Sequence, residues 1–367
     1  MSKFKVLLIN VAVLTAILVL MELLASLSFL YIKKPDHIYN YSYMTSYDYD
    51  PYLGFRAYPY PMYGQMDRLN PKSIVLLGGS TANGVGVVDR ERAFFRYLED
   101  DLKAKWGSET NLINLGVPGY VSNQESASYK NYIFNKKIIP QVIISLTGFN
   151  DAYFYLFRTL PIGNHEFNYA FELVFKKGYP DPDKTSEKVK NFVRKSNIFT
   201  LYHVMTSKTK PASPIQLSSD IHDPFQTTLE GPSSQLIQEV ADNFLNNVLA
   251  TALLANKKGS KYVVVLQPNY YYGGELTVIE NEWYGNMDDL HRWIEDVRRR
   301  EEAFEHFYSL VLKGLIEFKK QGLLDYLDYR GILADAGPVY KDPVHFNEHA
   351  SEILGRELAR ELAKIVK

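Results

Sequence analysis

The feature that most constrains the fold of this 367-residue chain is a regular alternation of short apolar segments with helical stretches from Ser73 onward. Four largely apolar segments and one poorer candidate predict strands, at residues 74–77, 111–115, 142–146, 262–266 and 323–327. Strands that are apolar throughout and alternate with helices are typical of a parallel sheet covered on both faces. We therefore predict a three-layer α/β/α domain with about five parallel strands.

Apolar residues at helical spacing predict the covering helices. Phe94, Leu98 and Leu102 mark one helix, and residues 123–134 predict a second. A long amphipathic helix is predicted through residues 294–315, and a terminal helix through residues 354–365. The chain therefore has enough helices to cover both faces of the predicted sheet.

Composition excludes several classes of function. The 41 basic and 42 acidic side chains nearly cancel, so the overall charge indicates neither a nucleic-acid partner nor an anionic membrane surface. The chain has no cysteine, which excludes thiol catalysis, disulfide bonds and Cys-ligated metal sites.

The amino-terminal segment predicts a location. Lys3 and Lys5 precede a charge-free apolar run over residues 6–21, and apolar character resumes after Glu22 up to residue 32. A bilayer needs roughly 20 apolar residues in a spanning helix, which favours an uncleaved single-pass anchor with the rest of the chain outside the membrane. A cleaved signal peptide and a buried core helix are the alternatives.

We divide the chain into an anchor at residues 1–34, a juxtamembrane strap at 35–70 and a main domain at 71–367. The strap is rich in Tyr, Pro and Asp and has little periodicity. The strand–helix alternation breaks down at about 151–232, where we predict an insertion that leans over the cleft.

Three polar loops follow three consecutive predicted strands. Ser80 lies in the turn Gly78–Gly84, Gly119 follows the second strand, and Asn150 follows the third. The carboxyl ends of parallel strands meet at one edge of a sheet, where active sites collect. Ser80 can serve there as a nucleophile, while the Gly119 N–H and the Asn150 amide can donate to an oxyanion.

Each loop also has a plainer interpretation. The Ser80 turn could be a phosphate-binding loop, although it lacks the Gly-Lys-Ser/Thr ending, or an ordinary strand-to-helix turn. Gly119 could belong to a simple turn. Asp151, next to Asn150, could be a rival acid or base, but we expect it to cap a helix or orient the loop.

Near the carboxyl end, Asp342 precedes His345 by three residues in a Pro-containing loop. This spacing lets a carboxylate hold one imidazole nitrogen and leaves the other nitrogen as a general base. His349, four residues further on, could form an i, i+4 metal pair with His345, but no carboxylate pattern supports a metal site and we expect a surface or capping role.

The four blocks, in this order, resemble the SGNH (GDSL-like) hydrolase superfamily, which is named for its Ser, Gly, Asn and His. The blocks contain Ser80, Gly119, Asn150 and the Asp342–His345 pair. The resemblance implies a flavodoxin-like fold and a serine hydrolase. Ser80, His345 and Asp342 would form the catalytic triad, and Ser80, Gly119 and Asn150 would form the oxyanion hole, with no metal or organic cofactor.

The resemblance covers residues 73–150 and 235–367 and leaves the insertion unmatched. Gln267-Pro268 after the fourth strand is also similar to members of this superfamily, and residues 50–56 are similar to membrane-anchored members. The first block departs from Gly-Asp-Ser-Leu at Gly79 and Thr81, which concerns the subfamily rather than the activity.

Two tyrosine clusters invite a binding role. Tyr270–Tyr272, followed by Gly273-Gly274 and by Trp283-Tyr284, could stack on sugars or hold an acyl chain, or could simply pack beneath a long loop. The cluster between Tyr39 and Tyr63 is expected at the membrane interface.

We therefore expect a membrane-anchored, extracytoplasmic serine esterase that acts on O-acyl, notably O-acetyl, esters of a cell-envelope polysaccharide. The alternatives are an O-acyltransferase to a glycan, a lipid esterase or lysophospholipase, and a non-catalytic accessory protein that partners a membrane acyltransferase. Expected partners are thus the membrane and an acylated glycan or lipid, with no nucleic acid.

Overall fold

The computed structural model describes residues 3–28, 47–50, 53–57, 63–87, 89–157, 161–163, 231–277 and 301–366. The chain divides into two compact units. One comprises Met1–Thr45 with Leu173–Ser218, and the other comprises Ser46–Glu172 with Ser219–Lys367. The predicted sheet and all four site blocks belong to the second unit.

In the first unit, helix α1 spans Lys3–Ser28, inside the segment for which we predicted an anchor. None of the helices in the described part of the chain has both the length and the apolar character that crossing a membrane requires. The predicted transmembrane helix is therefore not found among the described residues.

The second unit contains nine described strands: β1 Tyr47–Asp50, β2 Gly54–Ala57, β3 Ser73–Gly78, β4 Asn111–Asn114, β5 Val142–Thr147, β6 Lys261–Leu266, β7 Glu275–Leu276, β8 Asp325–Asp328 and β9 Pro338–Tyr340. Its described α-helices are α2 Ser80–Asn83, α3 Phe94–Trp106, α4 Ser122–Ser128, α5 Phe149–Ala152, α6 Ser234–Lys258, α7 Glu301–Lys320 and α8 Glu348–Ile365.

Five of these strands form the central sheet in the order β4-β3-β5-β6-β8, and every neighbouring pair is parallel. Numbered along the sheet alone, this order is 2-1-3-4-5, the flavodoxin-like order, whose chain reversal lies between the first and third strands. The prediction of a five-stranded parallel α/β sheet is confirmed. The site loops after β3, β4 and β5 therefore emerge side by side at one edge.

Alternate residues of each central strand point to opposite faces, and each face is covered by helices. Ile74 and Leu76 of β3 pack in one apolar cluster with residues of α3 and α8. Val75 and Leu77 pack in a second cluster with residues of α6 and α7. All six residues of β3 are buried, which explains why its sequence is apolar without alternation.

The predicted strands of the central sheet match the described ones closely, and two of the helices differ from the prediction. The predicted helix at 123–134 is α-helical only to Ser128 and continues as a π-helical segment, Tyr129–Phe134. The 25-residue helix α6 was not predicted, although its buried residues at 237, 240, 244 and 248 have helical spacing. Most of the predicted insertion and the upstream part of the predicted long helix lie outside the described residues.

The strap contains more structure than its sequence predicted. Strands β1 and β2 pair as an antiparallel hairpin. Asp50 at its turn accepts hydrogen bonds from the Leu53 N–H at 3.0 Å and from the Tyr132 hydroxyl of the π-helical segment. Further along, the Asn114 N–H donates to the Tyr63 carbonyl, so the strap ends against the edge strand β4. The strap is therefore attached to the sheet domain.

Candidate active site

The turn that carries Ser80 requires glycine at its first position. Gly78 has φ of +147°, and a Cβ there would lie 2.5 Å from the Leu146 carbonyl oxygen and 2.6 Å from the Ala82 Cβ. Ser80 begins the four-residue helix α2 directly after this turn. The first N–H groups of a helix have no intrahelical acceptor, so the Ser80 N–H can donate to a ligand.

Ser80, His345 and Asp342 form one hydrogen-bonded chain. The Ser80 Oγ lies 2.7 Å from the His345 Nε2, and the His345 Nδ1 lies 2.5 Å from the Asp342 Oδ2. Because a carboxylate accepts hydrogen bonds, the proton belongs on Nδ1, and Nε2 then accepts from the Ser80 hydroxyl. Asp342 is fully buried, whereas 13% of the His345 side chain is exposed. The reactive end of the chain therefore faces outward.

The Asp342 loop is fixed mainly by backbone hydrogen bonds. The Asp342 Oδ1 accepts from the N–H groups of Val344 and His345, both at 2.8 Å. The Pro343 carbonyl accepts from the Tyr270 N–H at 2.9 Å, which ties the loop to the segment after β6. A carboxylate with three hydrogen bonds has little freedom to turn away from the imidazole.

Gly86 allows the nucleophile segment to approach His345. A Cβ on Gly86 would lie 2.7 Å from the Phe346 carbonyl oxygen and 3.2 Å from the His345 Cβ, and its φ of +101° also favours glycine. The sequence analysis did not single out Gly86. A positive φ together with such close contact means that any larger residue would displace the histidine.

Asn150 lies against the nucleophile turn. Its Nδ2 donates to the Tyr120 carbonyl at 2.7 Å, and a Cβ on Gly79 would lie only 2.5 Å from that same nitrogen. An amide nitrogen carries two hydrogens, so one remains for an oxyanion. This contact also gives a reason for glycine at position 79, where the sequence departs from Gly-Asp-Ser-Leu.

Gly119 lies in a tight turn that also contains the acceptor for Asn150. The Tyr120 N–H donates to the Val117 carbonyl at 3.0 Å, and Gly119, after Pro118, has φ of +82°. Proline followed by glycine with a positive φ is the pattern of a type II turn. The structure thus places the Gly119 turn one residue from the carbonyl that holds Asn150.

Two buried asparagines that the sequence analysis did not assign join the Ser80 helix to the Gly119 loop. The Asn114 Nδ2 donates to the Ala82 carbonyl at 2.7 Å, and its Oδ1 accepts from the Gly116 N–H at 2.8 Å. The Asn83 Nδ2 donates to the Gly116 carbonyl at 3.0 Å. The sequence offered one signal for Asn114: it is a polar residue at the end of β4, whose other buried residues are apolar.

A weaker connection joins the Ser80 helix to the histidine loop. Thr81 and Gln267 are both buried. The Gln267 Nε2 donates to the Thr81 Oγ1 at 3.3 Å, and this hydroxyl donates to the Val344 carbonyl at 3.5 Å. Gln267 belongs to the Gln-Pro pair noted in the sequence, so the structure gives that pair a role in positioning.

Asp151 lies outside the Ser80–His345–Asp342 chain. It is fully buried and accepts from the Ser122 N–H at 2.9 Å and from the Ser122 hydroxyl at 2.5 Å, at the first residue of α4. Burial raises the pKa of Asp151 to about 6, while the Ser122 hydrogen bonds oppose that rise. Burial also raises the pKa of nearby Glu125 to about 8, with a smaller contribution from the charge of Asp151.

Two of the tyrosines after β6 make aromatic contacts with helix α7, and one of them, Tyr272, also lines a pocket. Tyr272 lies 5.8 Å from Tyr308 between ring centroids, and the Arg330 guanidinium stacks 4.2 Å from the centre of the Tyr272 ring. Tyr271 packs against Phe304 at 5.7 Å. These contacts support the packing interpretation for Tyr271, whereas Tyr272 both packs and lines a pocket; the Trp283-Tyr284 pair lies outside the described residues.

His349 is exposed in the first turn of α8, and Asn347 caps that helix by accepting from the Ala350 N–H at 3.1 Å. His345, its suggested metal partner, is already bonded at both ring nitrogens. This arrangement matches the expected surface role for His349.

No protein-family model matches this sequence, and neither does any curated protein. Solved structures do show likeness to it. An acetyl xylan esterase, AlAXEase, is 14% identical with a TM-score of 0.40, over 80% of this chain and 100% of that one. A GDSL-like lipase from Bacteroides thetaiotaomicron VPI-5482 is 12% identical with a TM-score of 0.40, over 81% of this chain and 90% of that one.

A lipase from a goat rumen metagenome, Lip_vut3, is 12% identical with a TM-score of 0.42, over 79% of this chain and 96% of its own. Structures similar to this chain thus include GDSL-like lipases and acetyl xylan esterases. At such low identities and TM-scores these likenesses do not establish an activity, and the geometry of Ser80, His345 and Asp342 is the stronger guide.

Proposed function

We propose that this chain is a serine hydrolase that cleaves O-acyl esters through an acyl-enzyme on Ser80. The observation that supports this proposal is the continuous hydrogen-bonded chain from the Ser80 Oγ through His345 to the buried Asp342. A serine hydroxyl is a weak nucleophile until a neighbouring base accepts its proton, and this chain provides the base and the group that orients it.

In the proposed reaction, the Ser80 Oγ attacks the acyl carbonyl while its proton passes to the His345 Nε2. Asp342 stabilises the resulting imidazolium, and the oxyanion accepts hydrogen bonds from the Ser80 and Gly119 N–H groups and the Asn150 amide. The imidazolium then protonates the departing alcohol, which leaves an acyl ester on Ser80. Water, deprotonated by His345, attacks that ester. The imidazolium then returns the proton to the Ser80 Oγ as the carboxylic acid leaves.

The test is hydrolysis of p-nitrophenyl acetate by the purified full chain and its Ser80→Ala variant. Removing a triad member costs on the order of 10⁴-fold or more in kcat, so the variant should be essentially inactive. Ser234→Ala, at an exposed serine on α6, is the matched control and should retain full activity. Equal labelling of wild type and Ser80→Ala by a fluorophosphonate probe would contradict the nucleophile assignment.

We further propose an O-acetylated cell-envelope polysaccharide as the substrate. The sequence supports this through the apolar amino-terminal segment, which predicts a position beside the envelope, and through the resemblance to membrane-anchored members of the superfamily. Comparison of acetyl, butyryl and longer p-nitrophenyl esters tests the acyl group. A strong preference for long chains would favour the lipid-esterase alternative instead.

Hydrolysis and transfer share the acyl-enzyme and differ only in the acceptor. Incubation of an acetylated donor with a glycan acceptor, followed by mass spectrometry, measures how the acetyl group divides between acetate and acetylated glycan. We expect acetate to predominate; predominant transfer would identify an O-acyltransferase. Turnover by the purified chain alone would rule out a purely accessory role beside a membrane acyltransferase.

The extracytoplasmic, membrane-anchored location is proposed from the amino-terminal sequence alone. Lys3 and Lys5 followed by the apolar run support it. Fractionation of cells that express the full chain, with alkaline extraction and protease treatment of intact cells, is the test. Recovery in the soluble fraction at its full length would contradict the anchor.

A further inference from the structure

A loop at the amino edge of the sheet, opposite the Ser80 edge, exposes two adjacent isoleucines. Ile138 and Ile139 are 44% and 37% exposed, in the segment that leads from the π-helical turn into β5. Single exposed apolar residues are common, but two consecutive isoleucines at the tip of a loop are not explained by packing. Lys136 and Lys137 precede them directly and are exposed as well.

A second group of lysines lies beside this loop at the end of α6. The Lys258 Nζ lies 5.0 Å from the centre of the Phe134 ring, which places the end of α6 against the start of the loop. The Ser260 hydroxyl donates to the Pro140 carbonyl at 2.6 Å, and the Lys261 N–H donates to the Gln141 carbonyl at 3.0 Å. The two segments therefore form one surface.

We call this surface the lysine–isoleucine patch; it comprises Lys136, Lys137, Ile138, Ile139, Lys257, Lys258 and Lys261. Within the described residues, none of its lysines forms an ion pair. Two carboxylates at this same edge of the sheet, Glu109 before β4 and Asp325 at the start of β8, are paired with Lys72 at 3.3 Å and with Lys319 at 3.2 Å. Among the described residues, lysines without an ion-pair partner are therefore gathered around two exposed isoleucines, in a chain whose net charge is only −1.

We propose that the lysine–isoleucine patch docks on an anionic phospholipid surface. The lysine ammonium groups attract the headgroup phosphates, and the long apolar stems of the same side chains can lie against lipid. The isoleucines can enter the boundary between the headgroups and the acyl chains. A nucleic acid would satisfy the lysines but would leave the isoleucines against phosphates and water. Lipid is the partner that satisfies both halves of the surface.

If the patch docks on lipid, the edge of the sheet that carries Ser80 faces away from the lipid surface. The patch lies where β5 and β6 begin, and Ser80 follows the opposite end of the neighbouring strand β3. A six-residue strand spans roughly 20 Å, so a docked sheet would present Ser80 about that far from the lipid, facing away from it. The docking inference does not rest on the esterase proposal, but together they favour a glycan over a membrane lipid as substrate.

The experiment uses the full chain, which has no native cysteine, with a polarity-sensitive fluorophore on Ile138→Cys. Vesicles of phosphatidylcholine alone are compared with vesicles of equal parts phosphatidylcholine and phosphatidylglycerol. We expect blue-shifted, brighter emission only on the anionic vesicles. The same label on Gln238→Cys should not respond. Gln238 is an exposed residue of α6 that lies 20 residues before Lys258, and thus roughly 30 Å from it.

Charge reversal separates the patch from other contacts with the vesicles. Lys137→Glu should reduce the anionic-to-neutral emission ratio roughly fivefold or more, because each lysine near a charged bilayer contributes strongly to attraction. Lys313→Glu, at an exposed lysine in the middle of α7, should leave the ratio unchanged. Equal emission on both vesicle types, or an equal response at residue 238, would overturn the proposal.

Two further outcomes would also overturn it by naming another partner. A response of the Ile138 label to duplex DNA at physiological salt would assign the surface to nucleic acid. A response that grows with protein concentration in the absence of vesicles would assign it to a second copy of the chain.

Discussion

Two loops of this protein each hold a fully buried aspartate, and they use it differently. Asp342 accepts from two backbone N–H groups of its own loop and from His345, whose other nitrogen reaches Ser80. Asp151 accepts both of its bonds from Ser122 at the start of α4. Burial and residue type are the same in the two loops, so the hydrogen-bond partner separates the carboxylate of the proposed triad from the one that holds the start of α4.

The comparison also shows why each carboxylate lies where it does. The carboxylate of the proposed triad must hold an imidazole that carries charge during the reaction, and in this chain the histidine comes from the same loop. Asp151 instead secures the position of its neighbour Asn150 by connecting the end of β5 to α4. One loop thus positions the proposed base, His345, and the other positions the proposed oxyanion donor, Asn150.

The largest expected effect is the difference in activity between the two aspartate-to-asparagine variants, with Asp342→Asn the more damaging. In Asp342→Asn the amide can donate to the His345 Nδ1 and favour the wrong tautomer, so kcat/KM for p-nitrophenyl acetate should fall about 10⁴-fold. Asp151→Asn should reduce it less than about tenfold, since the loop loses hydrogen bonds but the triad remains. Similar losses in both variants, each folded by circular dichroism, would erase the distinction between the two loops.

The next effect concerns Asn114, which supports the nucleophile side of the site. Asn114→Ala leaves the Ala82 carbonyl and the Gly116 N–H without partners in a buried setting, which should cost about 1–3 kcal/mol of unfolding free energy. Because Ala82 belongs to the Ser80 helix, kcat should fall more than KM rises.

Urea denaturation and steady-state kinetics measure the two parts of this prediction. Ser260→Ala, which leaves the Pro140 carbonyl without its hydrogen bond at the opposite edge of the sheet, is a control for stability loss alone. If Asn114→Ala loses stability with unchanged kcat, the asparagine supports the fold without positioning Ser80.

The fold was predictable because β3, β5 and β6 are buried on both faces and have largely apolar sequences, whereas the half-buried edge strand β8 gave only a poor signal. Strands β7 and β9 escaped prediction because two or three residues are too few to show a period. The long helix α6 has the right periodicity, but it follows a Pro- and Ser-rich stretch that had been assigned to the insertion.

The site was predictable where a residue follows a strand, as Ser80 and Asn150 do, or where two residues share a short loop, as Asp342 and His345 do. Asn114 and Gln267 could not be assigned in the same way. Their side chains act on backbone groups of segments that are distant in sequence, and only the folded sheet brings those groups within reach. The lysine–isoleucine patch was hidden for the same reason, because its two segments are distant in sequence. The balanced total charge of the chain also gave no sign of it.

The buried carboxyl groups of Glu125 and Asp151 should make the stability of the fold depend on pH. The pKa of Glu125 is about 8 in the folded chain against an ordinary value of 4.5, because burial disfavours its charge. The folded state therefore holds a proton that the unfolded state has lost, and stability should fall as pH rises from about 4.5 to about 8. Asp151, with a pKa of about 6, contributes the same sign over a lower range.

Glu125→Gln keeps the shape of the protonated acid and removes its titration. Below pH 4.5 the variant and the wild type should change in parallel, and toward pH 8 the variant should become the more stable by a few kcal/mol. Urea midpoints between pH 4 and pH 9 measure the difference. A constant difference across this range would show that Glu125 does not titrate between folded and unfolded states in the way its burial indicates.

The smallest effect should come from Thr81→Val, which cuts the side-chain connection between the Ser80 helix and the histidine loop. The two hydrogen bonds of Thr81 are long, at 3.3 and 3.5 Å, and bonds of that length contribute little. Valine has nearly the same shape, so kcat/KM should change less than about threefold and stability by about 1 kcal/mol or less. A loss of activity as large as that of Asp342→Asn would mean that Asp342 does not hold His345 alone, and that the Ser80 helix itself fixes the base.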